Sequence, residues 1–104
     1  MEQPSPAATT LRDIYTVSRL NREAKALLEG SFPPIWIEGE ISNLSRPASG
    51  HVYFSLKDPQ AQVRCAFFRQ HQRLVGITLK DGLHVLLRAR VSLYEGRGDF
   101  QVIV

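Results

Sequence analysis

A mainly β fold, five strands closing as a Greek-key barrel behind one N-terminal α-helix, is predicted by three features of this 104-residue chain. Between Trp36 and Asp58 two segments alternate apolar and polar residues with a period of two, the mark of strands with one packed face and one wet face. Three such segments, a short polar connection and two further segments follow one another, with turn signals between them. Phe32-Pro33-Pro34 separates all of them from a leading stretch whose apolar residues recur at helical spacing.

Residues 1–12 read as a disordered tail and 13–104 as one domain, near the commonest domain size. The tail has neither a basic start nor an apolar core, so it does not read as a secretory signal. A helix is expected over about 17–29. Val17, Leu20, Ala24, Leu27 and Leu28 share a stripe, Thr16 or Ser18 can cap its start, and Gly30 suits the position past its end. Leu20, Leu27 and Leu28 are expected to lie against the barrel or a partner domain.

The first strand is expected over about 35–42, with Ile37, Gly39 and Ile41 on one face and Glu38, Glu40 and Ser42 on the other. The second, about 51–57, sets Val52, Phe54 and Leu56 against His51, Tyr53, Ser55 and Lys57. Asp58-Pro59-Gln60-Ala61 turns the chain into the third, about 62–68, where Val63, Cys65 and Phe67 oppose Gln62, Arg64, Ala66 and Phe68. Residues 69–75 read as a short helix or irregular connection. Asp81-Gly82 then introduces a long fourth strand, about 83–94. Glu95-Gly96-Arg97-Gly98 is a tight hairpin loop into the fifth, about 99–104, with Phe100, Val102 and Val104 on one face. This order is that of the OB-fold, with an SH3-like barrel as the second choice.

Hydrophobic residues make up 43% of the chain and charged residues 22%, which excludes a disordered polyampholyte. No apolar run approaches the roughly 20 residues of a membrane span. The single cysteine, Cys65, excludes an internal disulfide, fits a reducing compartment, and sits on an apolar strand face as a small hydrophobe. The net charge of +3 is uneven: residues 1–42 hold four Lys/Arg against six acids, and residues 43–104 hold nine against four.

Glu38 and Glu40 share a strand face, but metal-dependent hydrolysis needs carboxylates in a larger cluster. Their expected partners are Arg88 or Arg90 on the fourth strand. His51, His71 and His84 show no ligand spacing with Cys65 or each other, and no glycine-rich phosphate loop is present, so no metal and no cofactor is expected. Binding is the stronger reading. OB-folds take ligands across the second and third strands, between the first–second and fourth–fifth loops. Those elements carry Asn43, Arg46, Ser49 and His51, then Tyr53, Ser55, Lys57, Arg64 and Phe68, then Arg97 with Tyr94 at its base. Tyr53 and Phe68 would stack bases, and Arg46, Arg64 and Arg97 would meet phosphates, the requirements of a single-stranded nucleic-acid groove. The structural alternatives put Tyr53 under the N-terminal helix, Phe68 at the barrel bottom and Trp36 against the N-terminal segment. Arg46 and Arg97 are expected to be held by loops away from the core. A protein-docking or self-association module without DNA contact is the rival function.

The segments YTVSRLNREAKALLEGSF (15–32), IWIEGEISNLSRPASGHVYFSLKD (35–58), VRCAFFR (63–69) and DGLHVLLRARVSLYEGRGDFQVIV (81–104) resemble the N-terminal domain of the large subunits of bacterial exonuclease VII. The resemblance implies an OB-fold that binds single-stranded DNA. It also implies a parent cytoplasmic enzyme that degrades single-stranded DNA from both ends into oligonucleotides, together with several copies of a small helical subunit. The nuclease centre of that family lies in a later domain. On this likeness the chain is the binding piece of a longer protein, with no catalytic residue of its own and its small-subunit contacts outside it.

Overall fold

The computed structural model describes residues 13–72 and 78–104; the expected tail over 1–12 and the end of the polar connection, 73–75, lie outside them. The elements are α1 (Val17–Ser31), β1 (Ile35–Ser45), β2 (Val52–Lys57), β3 (Gln62–Phe67), α2 (Arg69–Gln72), β4 (His84–Tyr94) and β5 (Asp99–Ile103). The strands close in the order β1-β2-β3-β5-β4, back to β1. Neighbours are antiparallel except β3 and β5, which run parallel. Closure leaves the alternating apolar set inside and removes the sheet's free edges along the paired segments. Ile41, Val52, Phe54, Leu56, Cys65, Phe67, Val85, Ala89 and Val102 form that core, with Leu79 from the segment before β4. Burial pushes the Cys65 thiol up to about 12, so it is an inert apolar filler.

β1 and β2 approach so closely that a Cβ on Gly39 would stand 2.8 Å from the Lys57 carbonyl oxygen, which is why glycine occupies the core face of β1 there. The second strand turns at Asp58, whose Oδ1 accepts from the Gln60 and Ala61 amides at 2.8 and 2.9 Å.

Three expectations are corrected. β1 continues to Ser45 instead of stopping near 42. One extra residue between Ser42 and Ser45 forms a bulge, and Asn43 takes φ 52 there, a left-handed conformation asparagine tolerates. The helix runs through Gly30 to Ser31. Its stop is set by Pro33, which holds Phe32 extended while the Phe32 amide donates to the Leu28 carbonyl at 3.1 Å. Thr16 does cap the start, its Oγ1 accepting from the Arg19 amide at 3.1 Å. The third correction concerns the helix face. Of the stripe expected against the barrel or a partner domain, Leu28 is half-buried together with Asn21, Ala24 and Lys25 where α1 packs on β4, whereas Leu20 and Leu27, 55% and 69% exposed, do not lie against the barrel. The contact is largely polar. The Ser92 hydroxyl donates to Glu29 at 2.8 Å, and the Asn21 side-chain Nδ2 donates to the Glu95 carbonyl at 2.9 Å. Lys25 pairs with the Glu95 carboxylate at 3.7 Å.

Candidate nucleic-acid interface

Strand register decides which outward side chains meet. Across β2, β3, β5 and β4, Tyr53 lies level with Ala66 and Ile103, and the next row holds Ser55, Arg64, Gln101 and Ser92. A row further on, Asp99 lies level with Tyr94. These rows wall a slot of about 430 Å³ with Tyr53, Phe68 and Tyr94 as its rings, Arg64 and Arg97 as its cations, and Ala66, Asp99 and Gln101 between them. Ala66 is buried and small, so the space beside the rings stays open.

Five of the expected residues therefore meet: Tyr53, Arg64, Phe68 and Arg97, with Tyr94 at the base of its loop. Tyr53 and Phe68 are half-buried, and both rings stand edge-on to His51, at 6.5 and 5.4 Å between centroids. His51 thus braces the two rings from the side. Its Nδ1 accepts from the Arg69 amide at 2.9 Å, which fixes the imidazole on α2. Arg64 donates to the Ser55 hydroxyl at 3.0 Å, a neutral partner that steers the guanidinium without cancelling its charge. Among the described residues neither Arg64 nor Arg97 forms an ion pair.

The loop bearing Arg97 is folded back on itself, with the Gly98 amide donating to the Tyr94 carbonyl at 2.8 Å. Gly98 has φ 69, and a Cβ there would meet the Asn21 carboxamide at 3.2 Å. The loop is thus seated on α1 as well as on its own hairpin.

The remaining expected residues stand elsewhere. Arg46 donates to the Leu79 carbonyl and lines a separate hollow with Val52, Phe67 and Thr78. A loop does carry it, but the guanidinium turns back to cap the core instead of standing clear of it. The same loop is tied down by Gln72, which donates to the Gly50 carbonyl at 2.8 Å. Asn43 stays exposed at the β1 bulge, and the neighbouring Leu44 amide donates to Asp81 at 2.9 Å. Lys57 lies at the far end of β2, paired with Glu40 at 3.5 Å in a hollow shared with Glu38, Asp58 and His84.

The register between β1 and β4 also overturns the expected partners of the two glutamates. It sets Trp36 opposite Arg88, Glu38 opposite Leu86 and Glu40 opposite His84. Glu38 accordingly faces His84 at 3.6 Å, and Arg88 stacks 5.3 Å over the Trp36 ring. Trp36 is 64% exposed rather than packed against the N-terminal segment. Among the described residues no group of three or more His, Cys, Asp or Glu is arranged to hold a metal ion.

Asp99 and Gln101 are slot residues that the sequence reading missed. The signal was present: Phe100, Val102 and Val104 share one face of β5, so Asp99 and Gln101 must share the other. Locating them beside Arg64 further requires the parallel pairing of β5 with β3.

Comparison with known proteins bears on what such a surface serves. A family model described as an OB-fold nucleic acid binding domain matches residues 15–104. The chain is 67% identical over 93 residues to the exodeoxyribonuclease 7 large subunit of Azotobacter vinelandii, covering 89% of this chain and 20% of that protein. It is 61% identical over 97 residues to the protein of the same name from Thioalkalivibrio sulfidiphilus, covering 93% and 22%. It therefore spans about a fifth of the length of the curated relatives it matches. Among solved structures, the OB domain of a Thermoplasma acidophilum protein superposes with a TM-score of 0.51 at 21% identity, covering 71% of this chain and 69% of that one, a likeness of fold. No helix among the described residues is long and apolar enough to cross a membrane.

Proposed function

The chain belongs to the OB-fold nucleic acid binding domain family, and on that footing we propose that its β2–β3–β5 face holds single-stranded DNA for an exodeoxyribonuclease VII large subunit. The observation that carries the proposal is the gathering of Tyr53, Phe68, Arg64 and Arg97 around one slot. Bases splayed from a single strand stack on the rings, a contact worth about 1–3 kcal/mol per base and indifferent to sequence. The two guanidiniums meet the phosphates on either side, and counterion release makes the affinity fall with salt. A duplex keeps its π faces covered by stacking, so rings at the floor of a slot select for a strand already open.

Within a longer enzyme of this kind, cytoplasmic and acting on single-stranded DNA, such a domain would feed strand to a hydrolytic centre situated outside this chain. Assembly with small subunits would likewise rest on parts outside it. The identity to the Azotobacter and Thioalkalivibrio proteins supports this placement. The rival, a docking module, has the exposed Val17, Leu20 and Leu27 of α1 in its favour. That apolar stripe lies on the helix, while the stacking rings line the slot, so the rings support the DNA reading.

Titration of the chain with a labelled oligo(dT) at low salt, followed by fluorescence anisotropy, decides between the two. The expected result is saturable binding that weakens as salt rises, and an amide chemical-shift map of the same titration should change most at Tyr53, Arg64 and Phe68. Absence of any shift of the oligonucleotide at low salt would leave the docking module as the surviving reading.

A further inference from the structure

We infer that the slot also discriminates between bases and favours guanine, with Asp99 as the specificity-determining residue; this rests on the single-stranded DNA reading above. Rings and arginines explain affinity for any strand. They do not explain a carboxylate in the same wall. Asp99 repels phosphate, so the part of the nucleotide beside it is the base edge.

A carboxylate has acceptors only. Guanine presents N1–H and the N2 amine side by side, two donors that match two carboxylate oxygens. Cytosine and adenine each present one exocyclic amine. Thymine flanks its single N3–H with two carbonyl oxygens, which a carboxylate repels. Gln101 follows Asp99 by two residues on the same strand face, and both line the slot. Its carboxamide can donate to the guanine O6 while Asp99 accepts hydrogen bonds from N1–H and the N2 amine. Among the described residues neither side chain takes part in an ion pair or a side-chain hydrogen bond, so both are available to a ligand. The neighbours support that arrangement. Tyr94 lies level with Asp99 and supplies a ring beside the carboxylate, and Arg64 lies level with Gln101 and supplies a cation for the phosphate.

The test uses four short oligo(dT) strands whose central residue is dG, dC, dA or dT, titrated against the chain and against Asp99→Asn at one low salt concentration. The dG strand is expected to bind about tenfold more tightly than all-dT, the discrimination of a good bidentate base contact, with dC and dA between. Asp99→Asn is expected to erase the dG advantage while leaving the salt dependence as it was, because the phosphate contacts remain. Equal affinity for all four strands overturns the inference and leaves the single-stranded DNA reading intact. A dT preference, or a dG advantage that persists in Asp99→Asn, overturns it as well. Failure of every strand to bind removes both readings together. Should Asp99→Asn misfold, Gln101→Ala is the second variant: the dG advantage should shrink in it, and an undiminished advantage overturns the inference.

Discussion

Lys57 and Arg64 stand on the same outer face of neighbouring strands, only two residues apart in register, and their charges meet different fates. Lys57 is held by Glu40 at 3.5 Å, with Glu38, Asp58 and His84 around the same hollow. Arg64 donates to the Ser55 hydroxyl, forms no ion pair among the described residues, and lines the slot with Tyr53, Phe68 and Arg97. The strand alongside makes the difference. β1 brings two glutamates to the Lys57 end, whereas β5 brings Gln101 level with Arg64. A cation on a barrel surface is therefore available to a ligand according to what the adjacent strand carries, and a basic composition alone does not identify it.

The largest break in this contrast should come from the rings. Tyr53→Ala combined with Phe68→Ala removes two stacking platforms, each worth about 1–3 kcal/mol, and oligo(dT) binding should fall below detection at moderate salt in anisotropy titrations. Next come the cations of the slot. Arg64→Ala and Arg97→Ala should each weaken binding and flatten the slope of log affinity against log salt by about 0.7, as expected for one phosphate contact on a single strand. The same slope measured after Lys57→Ala should be unchanged, and a loss equal to that of Arg64→Ala would abolish the distinction drawn between the two cations. Gly98→Ala tests how the Arg97 loop is held. The left-handed φ and the nearby Asn21 carboxamide should cost about 1–2 kcal/mol of stability, read as a lowered thermal midpoint. The smallest effect should come from Glu40→Gln. Releasing Lys57 from its partner should change stability by about 0–1 kcal/mol and raise oligonucleotide affinity only slightly, because among the described residues no Phe, Tyr or Trp lines that hollow and Glu38 and Asp58 remain in it.

The hairpin was legible because its signal is local. Period-two alternation put Tyr53, Arg64 and Phe68 on one face, and the Asp58 turn fixed their strands against each other. Residues whose position depends on a distant strand were harder to place. The β1–β4 register moved Glu38 and Glu40 away from Arg88 and Arg90, and left Trp36 exposed beneath an arginine. Arg46 looked free because the loop sequence gives no hint of the Leu79 carbonyl that receives it. The apolar stripe of α1 was correctly read as amphipathic, yet the helix meets β4 along its Asn21–Lys25–Leu28 edge, since Ser92 and Glu95 offer it polar partners there. Asp99 and Gln101 needed the parallel β3–β5 pairing, which no short window of sequence reveals.

That parallel pairing divides the slot by the order in which it can be built. Tyr53, Phe68 and Arg64 are drawn together by one tight turn, a microsecond event for an isolated hairpin, whereas Asp99 and Gln101 arrive only after the chain has looped back across some 35 residues. A partly folded chain would already possess the sticky half of the surface and lack the half bearing the carboxylate. Any grip on a strand would thus precede any judgement about which letter it carries, and only a finished ring would have both.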